Sequence, residues 1–234
     1  MKNSIVVIGG GESGVGAAFL ANKNGYDVFL SEFNTIQKKY KKILENNQIN
    51  YEEGGHTLAK FFNAKEVVKS PGISNNSEII IKIKSKNIPI ISEIEFAYRF
   101  TNSILIGVTG SNGKTTTCSL IHHILKSSGK SVGLAGNIGN SFSFLTAENN
   151  FEYVVLELSS FQLEDIINFH PFISIITNLT PDHLERYNYD FQNYVNSKFK
   201  IISNQTSSDY LIYNYDDNKI ISELSSRNVN SIKI

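Results

Sequence analysis

The sequence lacks three features that would restrict its setting: paired cysteines, long apolar runs and an excess of charge. Its single cysteine, Cys118, cannot form an intramolecular disulfide, so nothing points to an oxidising compartment. The N-terminal apolar run gives way to glycines after Ile8, which is too short for a signal-peptide core, and no later run reaches membrane-spanning length. We therefore expect a cytoplasmic protein that is neither exported nor embedded in a membrane.

Positive charge is not in excess, because 22 basic residues are balanced by 22 acidic ones. Binding to nucleic acid or to an anionic membrane surface needs clustered positive charge, so the balance argues against both partners. An anionic ligand must instead be held by local groups. Internal repeats and low-complexity tracts are also missing, and a length of 234 residues favours two domains.

Short β-branched runs alternate with longer helical patterns, which is typical of βαβ units and parallel sheets. The strands predicted for a first sheet are 4–8, 27–31, 66–69 and 88–91, and those for a second are 104–108, 131–135, 153–156, 173–176 and 211–213. Residues 92–102 are predicted to form a short helical connector followed by a turn. The sequence therefore predicts two α/β domains, residues 1–93 and 94–234.

A first glycine loop, residues 9–14, fits G-x-G-x-x-G between a strand and a helix predicted at 15–24. Such glycines allow a tight turn and let backbone amides approach a phosphate. Glu32 ends the next strand, where a dinucleotide enzyme would bind a ribose. The loop alone is a weak signal, and it leaves open a turn without nucleotide or the NAD site of an oxidoreductase.

A second glycine loop lies in residues 107–116, GVTGSNGKTT, between a predicted strand and a helix predicted at 114–127. Only its second half fits the strict phosphate-loop pattern, because Gly107 lies six residues before Gly113. In that half, backbone N–H groups can cradle phosphates and Lys114 can bridge the terminal ones. The Thr115 hydroxyl can bind Mg²⁺. This loop predicts a nucleotide site.

Two more residues follow predicted strands at the carboxyl edge, where ligands of open α/β sheets bind. Glu157 offers the hard oxygen that Mg²⁺ prefers, and His183 has Asp182 beside it, as many metal-binding histidines do. Taken alone, a glutamate at a strand end is more often merely solvated, and a lone histidine is more often a structural hydrogen-bonding residue. For His183, the neighbouring Asp182 and the sheet edge shared with Glu157 favour a metal ligand. The other histidines have no comparable neighbours, and His122 and His123 are expected to be packing or surface residues.

Seven strings resemble the Mur ligase family, in order and at the family spacing, so that the resemblance covers essentially the whole chain. They are SPGI (70–73), GVTGSNGKTTT (107–117), AGNIG (135–139), ELSSFQL (157–163), NLTPDHLERY (178–187), SKFKI (197–201) and NYDD (214–217). Within the family, ELSSFQL favours the enzymes that add D-glutamate.

The resemblance implies a Rossmann-like domain for a UDP-sugar, followed by a P-loop-type α/β ATPase domain. It also implies that the central domain is incomplete and the family's third domain absent, so that the chain is a fragment of an enzyme that is monomeric at full length. The implied substrates are UDP-N-acetylmuramoyl-L-alanine, D-glutamate and ATP. A substrate carboxylate attacks the γ-phosphate of ATP, and the amine of D-glutamate then displaces phosphate from the acyl phosphate.

The same resemblance assigns residue roles. ATP is bound by Gly110, Ser111, Asn112, Gly113, Lys114, Thr115 and Thr116. Thr115 and Glu157 hold one Mg²⁺, and His183 helps to hold a second, supported by Lys198 after carbamylation by CO₂. The residues implied for substrate binding are Glu12, Ser13, Gly72, Asn137, Ser159 and His183, and those for catalysis are Lys114, His183 and Lys198. Residues 32–34 depart from the Asp-Thr-Arg of relatives, which leaves the uracil contacts open.

Two alternatives remain at this stage. One is a non-catalytic module that binds a nucleotide or UDP-sugar and lacks the closing domain. The other is an NAD(P)-dependent oxidoreductase based on residues 9–14, which leaves Lys114, Glu157 and His183 without a role.

Overall fold

The computed structural model describes residues 4–234, which divide into two compact units. The first unit contains the chain up to Thr101 together with Ser141–Asn149 and Asp165–Ile167. The second contains Asn102–Asn140, Asn150–Glu164 and Asn168–Ile234. The division into functional domains at residues 93 and 94 stays a prediction.

Each unit is built on one parallel sheet. The first sheet has the order β3-β2-β1-β4-β5 and the second the order β11-β10-β9-β6-β8-β7. The strands are β1 (Ser4–Ile8), β2 (Asp27–Ser31), β3 (Asn50–Glu52), β4 (Glu66–Lys69), β5 (Ile90–Ser92), β6 (Ile104–Thr109), β7 (Val132–Gly136), β8 (Tyr153–Glu157), β9 (Ile173–Ile176), β10 (Tyr210–Tyr213) and β11 (Ile232–Lys233). Both sheets confirm the predicted fold class.

Helices connect the strands, as parallel pairing requires. They are α1 (Glu12–Lys23), α2 (Lys38–Asn46), α3 (Leu58–Phe62), α4 (Glu78–Lys84), α5 (Glu93–Tyr98), α6 (Lys114–Ser127), α7 (Phe142–Glu148), α8 (Ser160–Leu163), α9 (Phe191–Phe199) and α10 (Asn218–Ser226). Short 3₁₀ turns cover Leu184–Tyr187 and Lys200–Ile202. Among residues 4–234, no helix combines the length and apolarity needed to cross a bilayer.

Both glycine loops leave central strands of their sheets. β1 lies between β2 and β4, and β6 lies between β8 and β9. The strand order therefore reverses direction at β1 in the first sheet and at β6 in the second. Such a reversal opens a crevice beyond the carboxyl ends of the strands. The runs of valine and isoleucine in these strands are largely buried, as strands covered on both faces are. The topology therefore places a binding crevice at each loop.

A buried carboxyl group, Glu93, contacts the N-terminal turn of α7 in the first unit. Glu93 is 1% exposed, and its Oε1 accepts a hydrogen bond from the backbone N–H of Ser143. Its Oε2 is buried and has no hydrogen-bond partner among residues 4–234. Burial, with a smaller contribution from the nearby Glu12 carboxylate, raises the pKa of Glu93 to about 7. The Glu93 carboxyl group therefore resists ionisation up to near neutral pH.

We expect the Glu93→Gln variant to be more stable than the unchanged protein at pH 8 and equal to it at pH 4.5. The folded-state pKa lies above the ordinary 4.5, so the stability that accompanies neutral Glu93 is lost as pH rises through about 7. The gain at pH 8 should be about 1–3 kcal/mol in urea unfolding. Glu78→Gln, which changes an exposed carboxylate, is the control. A gain that does not change with pH would contradict the expectation.

Candidate functional site

The loop between β6 and α6 has a backbone that only glycine supports. Gly110 has a φ of +139°, and a Cβ there would lie 2.0 Å from Thr177 Oγ1. Gly113 has a φ of +81° and precedes α6, whose first turn has no side-chain cap. The N–H groups of that turn are therefore available to an anion, as they are at phosphate-binding helix termini.

A segment that follows β9 fixes this loop. The Asn178 side chain forms two hydrogen bonds with the backbone of Asn112: Oδ1 accepts from the N–H at 2.9 Å, and Nδ2 donates to the carbonyl at 3.0 Å. The Ser111 hydroxyl donates to the Thr180 carbonyl at 2.8 Å. Sequence reasoning missed Asn178 and Thr180, although both lie in the string NLTPDHLERY. Their position directly after the strand beside β6 was the available signal.

Two lysines meet at one carbonyl of the loop. Lys114 Nζ donates to the carbonyls of Gly110 and Ser111, each at 2.9 Å. Lys198 Nζ donates to the same Gly110 carbonyl at 2.7 Å. Two ammonium groups so close together repel each other, and a polyanion bound at the loop would relieve that repulsion. The geometry therefore suits a phosphate chain.

Lys198 is buried, contrary to the ordinary expectation for a lysine. It lies on α9 with 2% exposure, and its Nζ is 4.6 Å from the centroid of the Tyr194 ring. Burial, with a smaller contribution from the Lys114 charge, lowers the pKa of Lys198 to about 7. A substantial fraction of this amine is neutral at physiological pH, and only a neutral amine is nucleophilic towards CO₂.

Glu157, the last residue of β8, brings two other predicted residues together. Its carboxylate is buried and accepts hydrogen bonds from the Thr115 hydroxyl at 2.7 Å and from Asn137 Nδ2 at 2.8 Å. A carboxylate and a hydroxyl are suitable Mg²⁺ ligands, and this ion commonly keeps waters and phosphate oxygens as its other ligands. No group of three or more His, Cys, Asp or Glu within residues 4–234 could enclose a metal. The residues therefore fit a Mg²⁺ that is shared with a phosphate ligand.

His183 lies apart from that contact. Its side chain is 55% exposed, with Nε2 3.6 Å from Asp182 Oδ2 and Nδ1 3.7 Å from Glu185 Oε1. The ring centroid is 5.3 Å from that of Phe161, on α8 just beyond Glu157. Carboxylates on both sides suit a metal-binding imidazole, and the part of His183 in a second metal site stays a prediction.

The string ELSSFQL also has a local structural role. Ser159 and Gln162 form a capping box at the start of α8, in which the Ser159 hydroxyl accepts from Gln162 N–H and Gln162 Oε1 accepts from Ser159 N–H. This arrangement satisfies two backbone donors at a helix N-terminus. The predicted contact between Ser159 and substrate would come from a side chain already held in place.

In the first unit, two acidic side chains accept hydrogen bonds from backbone N–H groups in and near the glycine loop. Glu32 accepts hydrogen bonds from the backbone N–H groups of Gly10 and Asn34, the latter at 2.7 Å. Glu12 accepts from the backbone N–H of Ser141 at 2.9 Å. A Cβ at Gly14 would lie 1.9 Å from the Gly9 carbonyl, so the close approach requires glycine. Glu32 thus stabilises the loop rather than projecting from it.

A cavity of about 500 Å³ lies beside this loop in the first unit. Its lining includes Glu32, Phe33, Asn34, His56, Ser74 and Lys82. His56 Nδ1 is 2.7 Å from the Ser31 hydroxyl, which itself donates to Glu52 at 2.7 Å. Burial lowers the pKa of His56, which favours the neutral ring. His56 had no distinguishing neighbours in the sequence, because only folding brings it beside Ser31.

Comparison with known proteins decides the family. Residues 108–234 match the Mur ligase middle domain, and residues 4–79 match the MurD N-terminal domain. The chain belongs to the Mur ligase family. The predicted resemblance is thereby confirmed, as is the predicted order of the two α/β parts.

Two curated relatives of this Mur ligase chain are each named UDP-N-acetylmuramoylalanine--D-glutamate ligase. The protein from Christiangramia forsetii is 51% identical over 234 residues, which are 100% of this chain and 53% of the relative. The protein from Bacteroides fragilis is 53% identical over 220 residues, which are 94% of this chain and 50% of the relative. The chain therefore spans about half the length of the curated relatives it matches.

A solved Mur ligase has the same fold. The UDP-N-acetylmuramate:L-alanyl-gamma-D-glutamyl-meso-diaminopimelate ligase from Neisseria meningitides has a TM-score of 0.68 at 19% identity, covering 100% of this chain and 78% of that one. At this identity the likeness establishes the fold alone.

For this Mur ligase chain, we expect Glu157→Gln to weaken Mg²⁺-dependent ATP binding. The amide can still accept from Thr115, but it has no charge to attract the cation. The Mg²⁺ concentration for half-maximal ATP binding should rise at least about tenfold in calorimetric titrations. Glu152→Gln, which alters a half-exposed carboxylate paired with Lys130, should leave it unchanged. An unaltered Mg²⁺ requirement in Glu157→Gln would contradict the assignment.

Proposed function

We propose that this chain is part of an ATP-dependent ligase that joins D-glutamate to UDP-N-acetylmuramoyl-L-alanine through an acyl phosphate, in peptidoglycan precursor synthesis. The observation that carries the proposal is the arrangement around one loop: Lys114 and Lys198 share the Gly110 carbonyl, and Thr115 contacts Glu157. The names of relatives that are 51% and 53% identical support the choice of D-glutamate.

The second unit would bind ATP. Residues 110–116 would receive the phosphates through the backbone N–H groups of the loop and the first turn of α6. Lys114 would exchange its bonds to the Gly110 and Ser111 carbonyls for bonds to terminal phosphate oxygens. Thr115 and Glu157 would hold Mg²⁺, which neutralises charge on the phosphates when bound. Positioning and charge neutralisation then favour attack by the substrate carboxylate on the γ-phosphorus.

Lys198 would act after carbamylation. The neutral amine forms a bond from nitrogen to the carbon of CO₂, one C=O electron pair moves onto oxygen, and the nitrogen loses a proton to water. The product is a carboxylate-like group in place of an ammonium, which has no lone pair for a metal. With His183, it would support a second Mg²⁺ site near the substrate carboxylate.

The first unit would bind the UDP-sugar. Residues 9–14 would approach the diphosphate, aided by Ser13 and Gly72, while Glu12 would act through its hydrogen bond to Ser141. The cavity lined by Phe33 and His56 is large enough for a nucleoside portion. In the second unit, Asn137 and Ser159 would contact the reacting carboxylate of the substrate. We place the enzyme in the cytoplasm, where ATP is available, as a monomer.

The proposal is tested by phosphate release and by binding. The chain is joined to the part of the Christiangramia forsetii relative that it does not match, and phosphate release is measured with each substrate omitted in turn. We expect release only with ATP, UDP-N-acetylmuramoyl-L-alanine and D-glutamate together, and none with L-glutamate. Hydroxylamine should trap the acyl phosphate when D-glutamate is left out.

Two outcomes would favour the alternatives. Binding of ATP and the UDP-sugar by calorimetry without any turnover in the chimera would indicate a non-catalytic module. Tight binding of NADH to the chain, seen as a change in nicotinamide fluorescence, would instead favour an oxidoreductase, and it would leave the contacts of Lys114 and Glu157 without a function.

A further inference from the structure

An ion pair between a buried lysine and a largely covered aspartate closes a loop at the carboxyl edge of the first sheet. Lys69, the last residue of β4, is 1% exposed, and its Nζ lies 2.9 Å from Asp165 Oδ2. The same Nζ donates to the carbonyl of Ile73 at 2.9 Å. A lysine is rarely buried unless it is paired, and both contacts favour the ammonium at this position. Lys69 thus connects the start of the loop 70–75 to a point four residues further along.

Asp165 holds the other end of this loop. Its two carboxylate oxygens accept from Asn75 Nδ2 at 3.2 and 3.3 Å. The backbone carbonyl of Asp165 accepts from the N–H of Ser92, at the end of β5, at 2.9 Å. Asp165 is therefore fixed to the sheet through its backbone while its side chain contacts residues at both ends of the loop.

The loop 70–75 lies against the glycine loop of residues 9–14. The N–H of Ser70 donates to the carbonyl of Ile8 at 3.0 Å, next to the first glycine. A Cβ at Gly9 would lie 2.5 Å from Ser70 Oγ, and one at Gly14 would lie 2.8 Å from it. Because Ser70 lies so close to Gly9 and Gly14, a shift of the loop 70–75 would change the space beside the glycine loop. Gly72, predicted to contact substrate, is part of the same loop.

We propose that Lys69 and Asp165 are positioning residues that hold the loop 70–75 in the conformation that receives the UDP-sugar. This inference rests on the proposed function of the first unit. Neither residue needs to touch the ligand. Their ion pair fixes the loop before binding, so the ligand does not have to order it, and ordering a free loop weakens affinity.

The test compares four variants of the chain by calorimetric titration with UDP-N-acetylmuramoyl-L-alanine and, separately, with ATP and Mg²⁺. Lys69→Met removes the ammonium and leaves the largely covered Asp165 carboxylate without its cation, which can impair folding. The double variant Lys69→Met, Asp165→Leu removes both charges and keeps an apolar interior. Lys41→Met, which breaks the half-exposed pair with Glu53 in the same unit, is the matched control.

We expect the double variant to melt within a few degrees of the unchanged chain and to bind the UDP-sugar at least about tenfold more weakly. Its affinity for ATP and that of the Lys41→Met control for either ligand should change less than about twofold. Lys69→Arg, which can contact both Asp165 and the Ile73 carbonyl, should recover most of the affinity.

A folded double variant with unchanged affinity for the UDP-sugar would overturn the positioning role. Parallel loss of ATP binding would also overturn it, because that result indicates a general structural effect. Failure of the unchanged chain to bind the UDP-sugar would instead overturn the proposed function, together with the inference that rests on it.

Discussion

Replacing Lys114 with methionine is expected to lower ATP-dependent turnover by about 10³-fold. The Lys114 ammonium lies within 2.9 Å of two loop carbonyls, at the point where terminal phosphates would bind. Removing one preorganised charged donor from a phosphoryl-transfer site commonly costs about two to three orders of magnitude in rate. Steady-state phosphate release with the chimera described above measures the loss.

The control for this prediction is Lys126→Met, in the last turn of the same helix. Lys126 is exposed and distant along α6 from the loop, so this variant should keep its turnover. Both variants should melt within a few degrees of the unchanged protein. Retention of more than about a tenth of the activity by Lys114→Met would contradict the assigned role of this ammonium in the reaction.

Replacing Lys198 with methionine is expected to stabilise the fold at pH 6 while abolishing turnover. The pKa of Lys198 is lowered from 10.5 to about 7, so the folded protein below pH 7 contains a buried ammonium. Between pH 7 and 10.5 the unfolded chain binds more protons at this site, and the unfolding free energy of the unchanged protein therefore rises with pH.

The advantage of Lys198→Met should thus be largest at pH 6 and shrink towards pH 10. One pKa unit corresponds to about 1.4 kcal/mol, which sets an upper limit of roughly 5 kcal/mol at pH 6. Loss of the hydrogen bond to the Gly110 carbonyl should reduce this stability gain by about 1 kcal/mol. Urea unfolding at pH 6, 8 and 10 measures the trend, with Lys126→Met as the control. Equal stability differences at all three pH values would refute this account of Lys198.

Local patterns predicted most of the elements. The β-branched runs became strands within two residues of their predicted bounds, and α6 has the predicted range 114–127. The helix predicted at 15–24 begins earlier, at Glu12, because the acidic residue starts the first turn directly after the glycines. Two strands were missed: β3 is short and polar, and β11 has only two exposed residues at the edge of its sheet.

Linear order could not predict where α7 belongs. The helix lies between two strands of the second sheet, yet it is part of the first unit, where Glu12 and Glu93 accept hydrogen bonds from its N-terminal region. No helix was predicted for residues 142–148, and their partners in the first unit lie far away in the chain. Packing between distant segments decided the outcome.

The amino-acid order alone determined the second glycine loop, with Lys114 and Thr115 following a strand, and placed Glu157 at the end of another. These features are local, since a strand, a glycine turn and a helix N-terminus fix where their side chains point. Only the tertiary structure decided that Lys198 is buried and donates to the Gly110 carbonyl. It also decided that the Asn178 side chain bonds the backbone of Asn112 and that Lys69 pairs with Asp165. Each of these contacts joins residues far apart in the chain, so no local pattern records it.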